Sequence, residues 1–497
     1  MRPPAAADAP RRVLTRAEAI ALADAAIGMV TVPTVGVQVS HRAAAVASVT
    51  NNHQPHCDDI DELALNFVTR LGSDIPVIVG TNVRDAATLR QMIRNAEMKK
   101  TPPVRKEDQE DETDPDLPIK HALGPKQYLP VTLWHDSTTH AMETARGETL
   151  ARMINVMHDA GAGARDLVMA GTVALTSRVR LCHYIHGMSA WGEGTDSEVT
   201  VSVRSQDGRA SGWRGQAARD WTQMQPEQVV RDAVTMANKM RGAVRLEPGR
   251  YTAILGAAAV GQLVHMMADL FLARANRGGA GPFGLANSPD GHLLRLGQRV
   301  FDERITMYTD PNDPMGGDFP FFEEDGTPSG AQTWIEHGVL RALAYDPSDA
   351  MEYGKTPIKQ PISMHVTGAG KLSTIEEMIS TCERGVYVNR FSNVQLVDFK
   401  SGAMSGNTRD GCFFIKDGKI HSPVTNFRFF ESPFIAFNKV LAVGTPERIA
   451  FGFTPPTDTS FGAKGFAGAL ETWPNPPVIV PPCMFRDFNF SALSDAV

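Results

Sequence analysis

The stretch Tyr251-Thr-Ala-Ile-Leu255 runs directly into Gly256-Ala-Ala-Ala-Val-Gly-Gln262-Leu-Val-His265-Met-Met-Ala-Asp269 and decides the fold of the C-terminal half. The first five residues are mostly apolar and predict a short strand, whereas the alanine-rich run predicts a helix over 257–275. Downstream, short strands alternate with Gly and Asp turns, and a second helix is predicted over 373–384, with Ser373 and Glu376 as a capping box. This half is therefore expected to be mainly antiparallel β with a few helices.

The N-terminal half has a different pattern. Its periodicity predicts helices over 15–28, 59–71, 85–98, 137–160 and 226–241, and strands over 35–40, 75–79, 168–176, 178–185 and 198–205. The predicted organisation is a disordered tail (1–12), an N-terminal α/β domain (13–100), a charged Pro-rich linker (101–130), a small middle α/β domain (131–245) and the C-terminal domain (246–497). The fold class is α+β.

Composition narrows the function. The 497 residues carry a net charge of -7 and a pI near 6.1, which argues against a nucleic-acid partner or an anionic membrane, since both need a basic face. Five cysteines, an odd number with no CxxC, indicate reduced thiols. No signal peptide and no run of 18 apolar residues is present, so we expect a cytoplasmic protein. Motifs for serine hydrolases, P-loop proteins and dinucleotide binding are also absent.

A series of different short motifs follows in a fixed order along the chain. The C-terminal half contains Val300-Phe-Asp-Glu-Arg-Ile-Thr-Met-Tyr-Thr-Asp310, Glu324-Asp-Gly326, Ile335-Glu-His-Gly338, Glu383-Arg-Gly385-Val-Tyr-Val388, Thr408-Arg-Asp-Gly411 and Lys416-Asp-Gly-Lys-Ile420. Earlier come Thr50-Asn-Asn, Val77-Ile-Val-Gly-Thr81-Asn and Glu193-Gly-Thr195-Asp-Ser-Glu-Val. Each is weak alone, because any tight turn needs Gly or Asp. In this order and spacing the chain resembles the TldD/PmbA family, and it is more similar to the PmbA (TldE) side than to TldD.

The family resemblance shows which positions of this chain would correspond to zinc ligands. TldD-type subunits place His-Glu-x-x-x-His on the helix after Gly256, and with Ala259-Val-Gly261 aligned, these residues fall on Ala257, Ala258 and Gln262. No such motif occurs elsewhere in the chain. The family's third ligand is a cysteine in a glycine-rich stretch, but its counterpart, 457–465, contains none, and Cys412 and Cys483 lie in other contexts. The resemblance therefore implies no cofactor in this chain and zinc in a partner subunit.

Other possible metal ligands can be weighed from their spacing. His265 and Asp269 are four residues apart on one helix and would share a face, which makes them the main alternative ligand pair, although a third ligand is missing. His183 and His186 differ by an odd number on a strand and so point to opposite faces. The sets His135, Asp136 and His140, and His53, His56 and Cys57, are more typical of solvated loops or helix starts.

The family resemblance implies a function. Related proteins pair into an assembly with an enclosed channel, in which a zinc-bearing TldD-like subunit with HExxxH hydrolyses peptides or peptidic natural-product intermediates. This chain is expected to be the non-catalytic partner in a heterodimer or larger complex, with substrate held as an added strand. One alternative is that it is itself a metallopeptidase or other hydrolase with relocated ligands, His265 and Asp269 among them. Another is a self-assembling scaffold or a peptide-binding protein.

Aromatic clusters suggest where a partner would bind. Phe319, Phe321 and Phe322 crowd a loop beside two glycines, and four further rings at 427, 429, 430 and 434 surround Arg428. Aromatic residues beside an arginine are favoured in the cores of interfaces, so the loop rings and Arg428 are predicted to contact a partner. The alternative, that the rings fill the domain's own core, fits Phe427 and Phe429 equally well because polar residues alternate with them.

Overall fold

The structure is a computed structural model that describes residues 12–31, 34–69, 77–80, 85–98, 125–160, 164–286, 294–323, 325–361, 363–370, 372–452 and 476–494. The predicted tail lies outside these ranges except for Arg12, and the predicted linker does so except for residues 125–130. Within the described ranges, no helix combines the length and the apolar character that a membrane crossing requires.

The N-terminal half is built on one antiparallel sheet of six strands in the order β3-β2-β1-β4-β5-β6. The strands are β1 (Thr34–Thr50), β2 (Gln54–Thr69), β3 (Val77–Gly80), β4 (Leu167–Tyr184), β5 (Ser189–Ser205) and β6 (Ser211–Ala218). Residue 43 of β1 lies opposite residue 61 of β2 and residue 177 of β4. The segments predicted as N-terminal and middle domains therefore share a single sheet.

Within the described residues, five α-helices accompany this sheet: α1 (Arg16–Ile27), α2 (Ala86–Met98), α3 (Asp136–Thr144), α4 (Arg146–Asp159) and α5 (Pro226–Lys239). Thr15 is the N-cap of α1 and forms a capping box with Glu18. Helix α5 packs so closely on β6 that a Cβ at Gly212 would lie 2.3 Å from the carbonyl oxygen of Ala233. Only glycine leaves room for this approach.

Several predicted elements are corrected by the structure. The helix predicted over 59–71 is wrong, because this segment is β2, in which Leu63, Leu65 and Phe67 are buried at every second position. The strands predicted over 168–176 and 178–185 form the single strand β4. The helix predicted over 137–160 is divided into α3 and α4, which meet at residue 145.

The C-terminal half contains a small closed barrel. Its strands are β7 (Gly249–Leu255), β12 (Arg384–Asp398), β13 (Ala403–Lys416), β15 (Phe427–Glu431) and β19 (Cys483–Leu493), with β14 (Lys419–Pro423) and β16 (Val440–Val443) added at the side. Because β12 pairs with both β7 and β13, the five strands form a ring. Buried phenylalanine rings fill its interior, and the centroids of Phe391 and Phe429 are 4.2 Å apart.

A second sheet lies beside the barrel in the order β10-β9-β8-β11-β18-β17. Its strands are β8 (Ile305–Thr309), β9 (Gln332–Glu336), β10 (Val339–Leu340), β11 (His365–Gly368), β17 (Glu447–Arg448) and β18 (Ile479–Val480). The α-helices in the described part of this half are α6 (Ala257–Met266), α7 (Pro347–Glu352), α8 (Ile375–Ser380) and α9 (Pro433–Ala436). This architecture confirms the α+β class, with a large and mainly antiparallel C-terminal domain.

Two C-terminal helices are shorter than predicted. Helix α6 ends at Met266 and gives way to a 3₁₀ turn over Ala268–Phe271, where the prediction continued to 275. Helix α8 covers six residues, and its capping box uses Thr374 and Glu377 in place of Ser373 and Glu376. The error is a shift of one position, because adjacent Ser and Thr are both good N-caps and adjacent glutamates follow at the matching spacing.

Candidate functional site

Helix α6 is the centre of the candidate site and is held firmly at its start. The backbone N–H of Gly256 donates to the carbonyl oxygen of Val388 on β12 at 2.8 Å. A Cβ at Gly256 would lie 2.8 Å from the carbonyl oxygen of Asn389, so the absence of a side chain lets the helix begin against the barrel wall. The helix is therefore a fixed element of the C-terminal domain.

The three positions that the family resemblance aligns with the zinc motif lie on this helix but present no strong ligand. Ala257 is buried, and Ala258 and Gln262 are half-buried. Alanine has no lone pair, and a neutral amide oxygen is a poor zinc ligand beside imidazole or thiolate. Among the residues that the structure describes, no group of three or more His, Cys, Asp or Glu side chains could hold a metal ion.

The alternative ligand pair is engaged in other contacts. The His265 ring packs against Phe451 with 4.8 Å between ring centroids, and burial lowers the pKa of its imidazole although Asp269 opposes the shift. Asp269 is exposed, and its Oδ1 accepts a hydrogen bond from Gln360 Nε2 at 2.7 Å. These contacts account for both side chains without a metal, and a metal role for the pair stays a prediction.

The remaining sequence candidates are not on α6. Cys182 is buried, whereas His183 points away from it and contacts Asp24 Oδ1 through Nε2 at 3.0 Å, as strand alternation predicts. Cys412 and Cys483 are fully buried, and burial raises the pKa of the Cys412 thiol to about 12. Both are small core residues. The glycine-rich counterpart of the family's cysteine stretch, 457–465, lies outside the described residues.

The tight packing of α6 yields a test. A Cβ at Gly261 would lie 2.0 Å from Ile449 Cδ1, so Gly261→Ala should lower the free energy of unfolding by about 1 kcal/mol even though alanine is the better helix former. In an Ile449→Val background, which removes Cδ1, the same change should be neutral or stabilising. Urea unfolding of the four proteins measures both values, and an equal effect in the two backgrounds would contradict this packing.

A buried polar seam, which sequence reasoning missed, joins the N-terminal sheet to the C-terminal domain near α6. Asp196 on β5 is ion-paired to Arg448 on β17, and Arg219 Nη1 lies 3.8 Å from the same carboxylate oxygen. Arg219 Nη2 also donates to the carbonyl oxygen of Gly317 at 2.8 Å, and burial lowers the pKa of Arg219 to about 10. One carboxylate thus holds two arginines from different parts of the chain.

Glu198, two residues along β5, extends the seam towards α6. Its carboxylate accepts hydrogen bonds from the backbone N–H groups of Phe451, at 3.2 Å, and Gly452, at 2.8 Å. Burial raises the pKa of Glu198 to about 7, and the neighbouring Asp196 adds to the shift. A signal was available in the sequence, because Glu193, Asp196 and Glu198 are three acids close together in the chain.

The predicted aromatic interface is corrected. Phe319, Phe321 and Phe322 are only 1%, 0% and 6% exposed, and the first two belong to a core cluster with Leu133 and Met188. Their loop lies on the N-terminal sheet, where Arg178 sits 4.2 Å from the centroid of the Phe319 ring. The surface that covers these rings therefore belongs to this chain, and truncating them would act on its own fold.

The second aromatic cluster is split by strand alternation. Phe427 and Phe429 point into the barrel, whereas Arg428 and Phe430 are exposed on its outer surface, Phe430 by 43%. Arg428 Nε donates to Ser405 Oγ at 3.0 Å. The contact with a partner that was predicted for Arg428 stays a prediction.

A small cavity, here called the Asp310 cavity, opens near the end of α6. Its volume is about 120 Å³, and its lining includes Thr309, Asp310, Phe319, Ser329, Lys359 and Gln360. Gln360 links it to the candidate site, because its amide donates to Asp269 just beyond α6. The exposed Gly330 and half-buried Ser329 in its lining bring it to the surface.

The C-terminal half matches a known protein family. Residues 248–492 match the family model of the PmbA/TldA metallopeptidase C-terminal domain. A "Metalloprotease TldD homolog" of Buchnera aphidicola is 25% identical over 162 residues, a match that covers 30% of this chain and 33% of that protein. The match thus spans about a third of the length of this curated relative.

Solved structures show the same fold along nearly the whole chain. TldE from Thermococcus kodakarensis superposes with a TM-score of 0.70 at 16% identity, covering 95% of this chain and 99% of that one. A putative modulator of DNA gyrase from Bacteroides thetaiotaomicron gives 0.70 at 14% identity, covering 96% and 98%. A similarly described Thermotoga maritima protein gives 0.67 at 14%, covering 91% and 95%.

Proposed function

We propose that this chain, which belongs to the TldD/PmbA family of metallopeptidase-like proteins, is the non-catalytic subunit of a two-subunit peptidase. Its partner would be a TldD-like chain that carries HExxxH and the zinc ion. The pair would hydrolyse peptides or peptidic natural-product intermediates, and this chain would help to form the channel that receives them.

The observation that supports this role is a contrast within α6. The packing of the helix is tight, with Gly256 against β12 and Gly261 against Ile449, whereas its motif positions are Ala257, Ala258 and Gln262. A helix that is held closely but lacks ligands fits a subunit that supplies shape while another supplies chemistry. The polar seam fits the same role, because it would hold the walls of a channel in register.

The zinc content of the purified proteins tests the role. We expect no stoichiometric zinc in this chain alone and about one zinc ion per pair after co-expression with a TldD-like chain, because only the partner offers imidazole ligands at the correct spacing. Elemental analysis of the two preparations measures this. Peptidase activity should be found in the preparation that contains both chains, and it should be lost when the partner's HExxxH motif is mutated.

Two variants of this chain serve as controls. Gln262→Ala and His265→Ala should both leave the zinc content of the pair unchanged, because neither side chain is assigned to the metal. Zinc bound tightly to the single chain and lost in His265→Ala would contradict the proposal and favour an enzyme with relocated ligands. Failure of the two chains to associate would favour a self-assembling scaffold or peptide-binding protein.

A further inference from the structure

The Asp310 cavity has the size of one small chemical group. Its 120 Å³ compares with the roughly 150 Å³ of an engineered cavity that binds benzene. It cannot admit a folded partner, but it can receive the side chain or terminus of one peptide residue. Because Ser329 and Gly330 reach the surface, such a group can enter while the rest of its molecule stays outside.

The walls of the cavity are stiff and partly apolar. Pro311, Pro328 and Pro357 contribute ring surfaces with restricted backbones. The Phe319 ring is fixed between the guanidinium of Arg178, 4.2 Å from its centroid, and the Phe321 ring, 5.6 Å away. These surfaces favour an aliphatic stem, which would be removed from water without a change in the protein.

The charge balance of the cavity favours a cation. Lys359 Nζ lies 2.7 Å from Asp318 Oδ2, and Arg178 lies 3.1 Å from both Asp318 Oδ1 and Glu323 Oε1, so these two cations are matched by two carboxylates. Asp310 in the wall adds one further negative charge. A carboxylate or phosphate ligand would therefore meet net repulsion, and an ammonium group would meet attraction.

We propose that the Asp310 cavity binds a primary ammonium group on an aliphatic stem, with the Asp310 carboxylate as its main acceptor. In a peptide this chemistry occurs both at the amino terminus and on a lysine side chain. The binding is a property of this chain alone, and it rests on the proposed function only for the identification of the ligand as a peptide.

Three short peptides separate the sources of the ammonium group. The acetylated amide Ala-Lys-Ala presents only a side-chain ammonium, Ala-Ala-Ala-amide presents only a terminal one, and the acetylated amide Ala-norleucine-Ala presents neither. Calorimetric titration of the purified chain should show saturable binding of one or both ammonium peptides and at least about tenfold weaker binding of the norleucine peptide, since a hydrogen bond to a charged group contributes this much.

Asp310→Asn is the decisive variant. Asp310 Oδ1 accepts the backbone N–H of Asn312 at 2.9 Å, and an asparagine oxygen can do the same, so the turn is kept while the charge is lost. Binding of the ammonium peptides should fall about tenfold. Asp207→Asn is the matched control, because Asp207 makes the same contact with the N–H of Arg209 at 3.0 Å in a turn elsewhere on the protein.

A further variant and four possible results also test whether the cavity binds an ammonium group. Ser329→Leu, a change at a half-buried lining position, should also block binding while leaving the thermal unfolding temperature nearly unchanged. Equal binding of the norleucine peptide, tighter binding of a glutamate analogue, no binding of any peptide, or full binding by Asp310→Asn would overturn the proposal. Association with a TldD-like chain is measured separately, so its failure would leave the cavity result intact.

Discussion

Replacing Arg448 with alanine should lower the free energy of unfolding by about 3 kcal/mol, because a buried carboxylate then loses its ion-pair partner. The side chains of Arg448 and Asp196 are only 6% and 9% exposed, so water cannot take over the lost contact. Arg219, at 3.8 Å from the same carboxylate, compensates in part, which places the effect at the lower end of the range for broken buried pairs. Urea unfolding followed by circular dichroism measures the loss.

Two comparisons isolate the buried charge as the cause. The neighbouring pair of Arg214 on β6 and Glu447 on β17 also joins the N-terminal sheet to β17, at 3.1 Å, but its side chains are 41% and 45% exposed, so Arg214→Ala should cost less than about 1 kcal/mol. The double variant Asp196→Asn, Arg448→Met should recover at least half of the loss, since no unpaired carboxylate remains. Strict additivity of the Asp196 and Arg448 single changes would contradict this explanation.

Glu198 should make stability depend on pH. Its pKa is about 7 in the folded chain against 4.5 as the ordinary value, because burial and Asp196 favour the neutral acid while Arg448 and two backbone N–H groups oppose this shift. Between these values the folded state keeps a proton that the unfolded state has released, so stability falls as pH rises. The contribution is fully present below pH 4.5 and is lost as pH rises through 7.

Glu198→Gln provides the measurement. The free energy of unfolding of the unmodified chain should fall by about 2 kcal/mol relative to the variant between pH 5 and pH 8, after allowing for the partial solvent exposure of this side chain. Glutamine cannot ionise, so the comparison removes the contributions of all other groups. Parallel stability curves for the two proteins across this range would show that Glu198 does not titrate there.

The parts of the fold that follow from local pattern were predictable. Strand β7 and the beginning of α6 could be placed from the apolar run and the alanines after Gly256, and Thr15 predicted the start of α1. The strand character of the β2 segment could not be predicted locally, because spacings such as that of Leu63 and Phe67 also fit a helix. Pairing with β1 decides between the two, and it is a property of distant residues.

The candidate site was predictable in one respect. The positions Ala257, Ala258 and Gln262 were placed through the family resemblance, and all three lie on α6 as the predicted helix requires. The polar seam was not found, because Asp196 and Arg448 are 252 residues apart and nothing local to either residue indicates the other. The burial of Phe319 and Phe321 escaped prediction for the same reason, since the surface that covers them comes from an earlier part of the chain.

The sharing of one sheet by both parts of the N-terminal half has a consequence for biosynthesis. Strand β1 pairs along its length with β4, which begins 117 residues after β1 ends. At about 5–20 residues per second, roughly 6 to 23 s pass on the ribosome before the partner strand emerges. During that time the nascent hairpin exposes an unpaired strand edge, which attracts other chains. Slower elongation lengthens the time for which this strand edge is exposed, whereas slower initiation and abundant chaperones do not. The latter two changes should therefore raise the yield of folded protein more than slower elongation does.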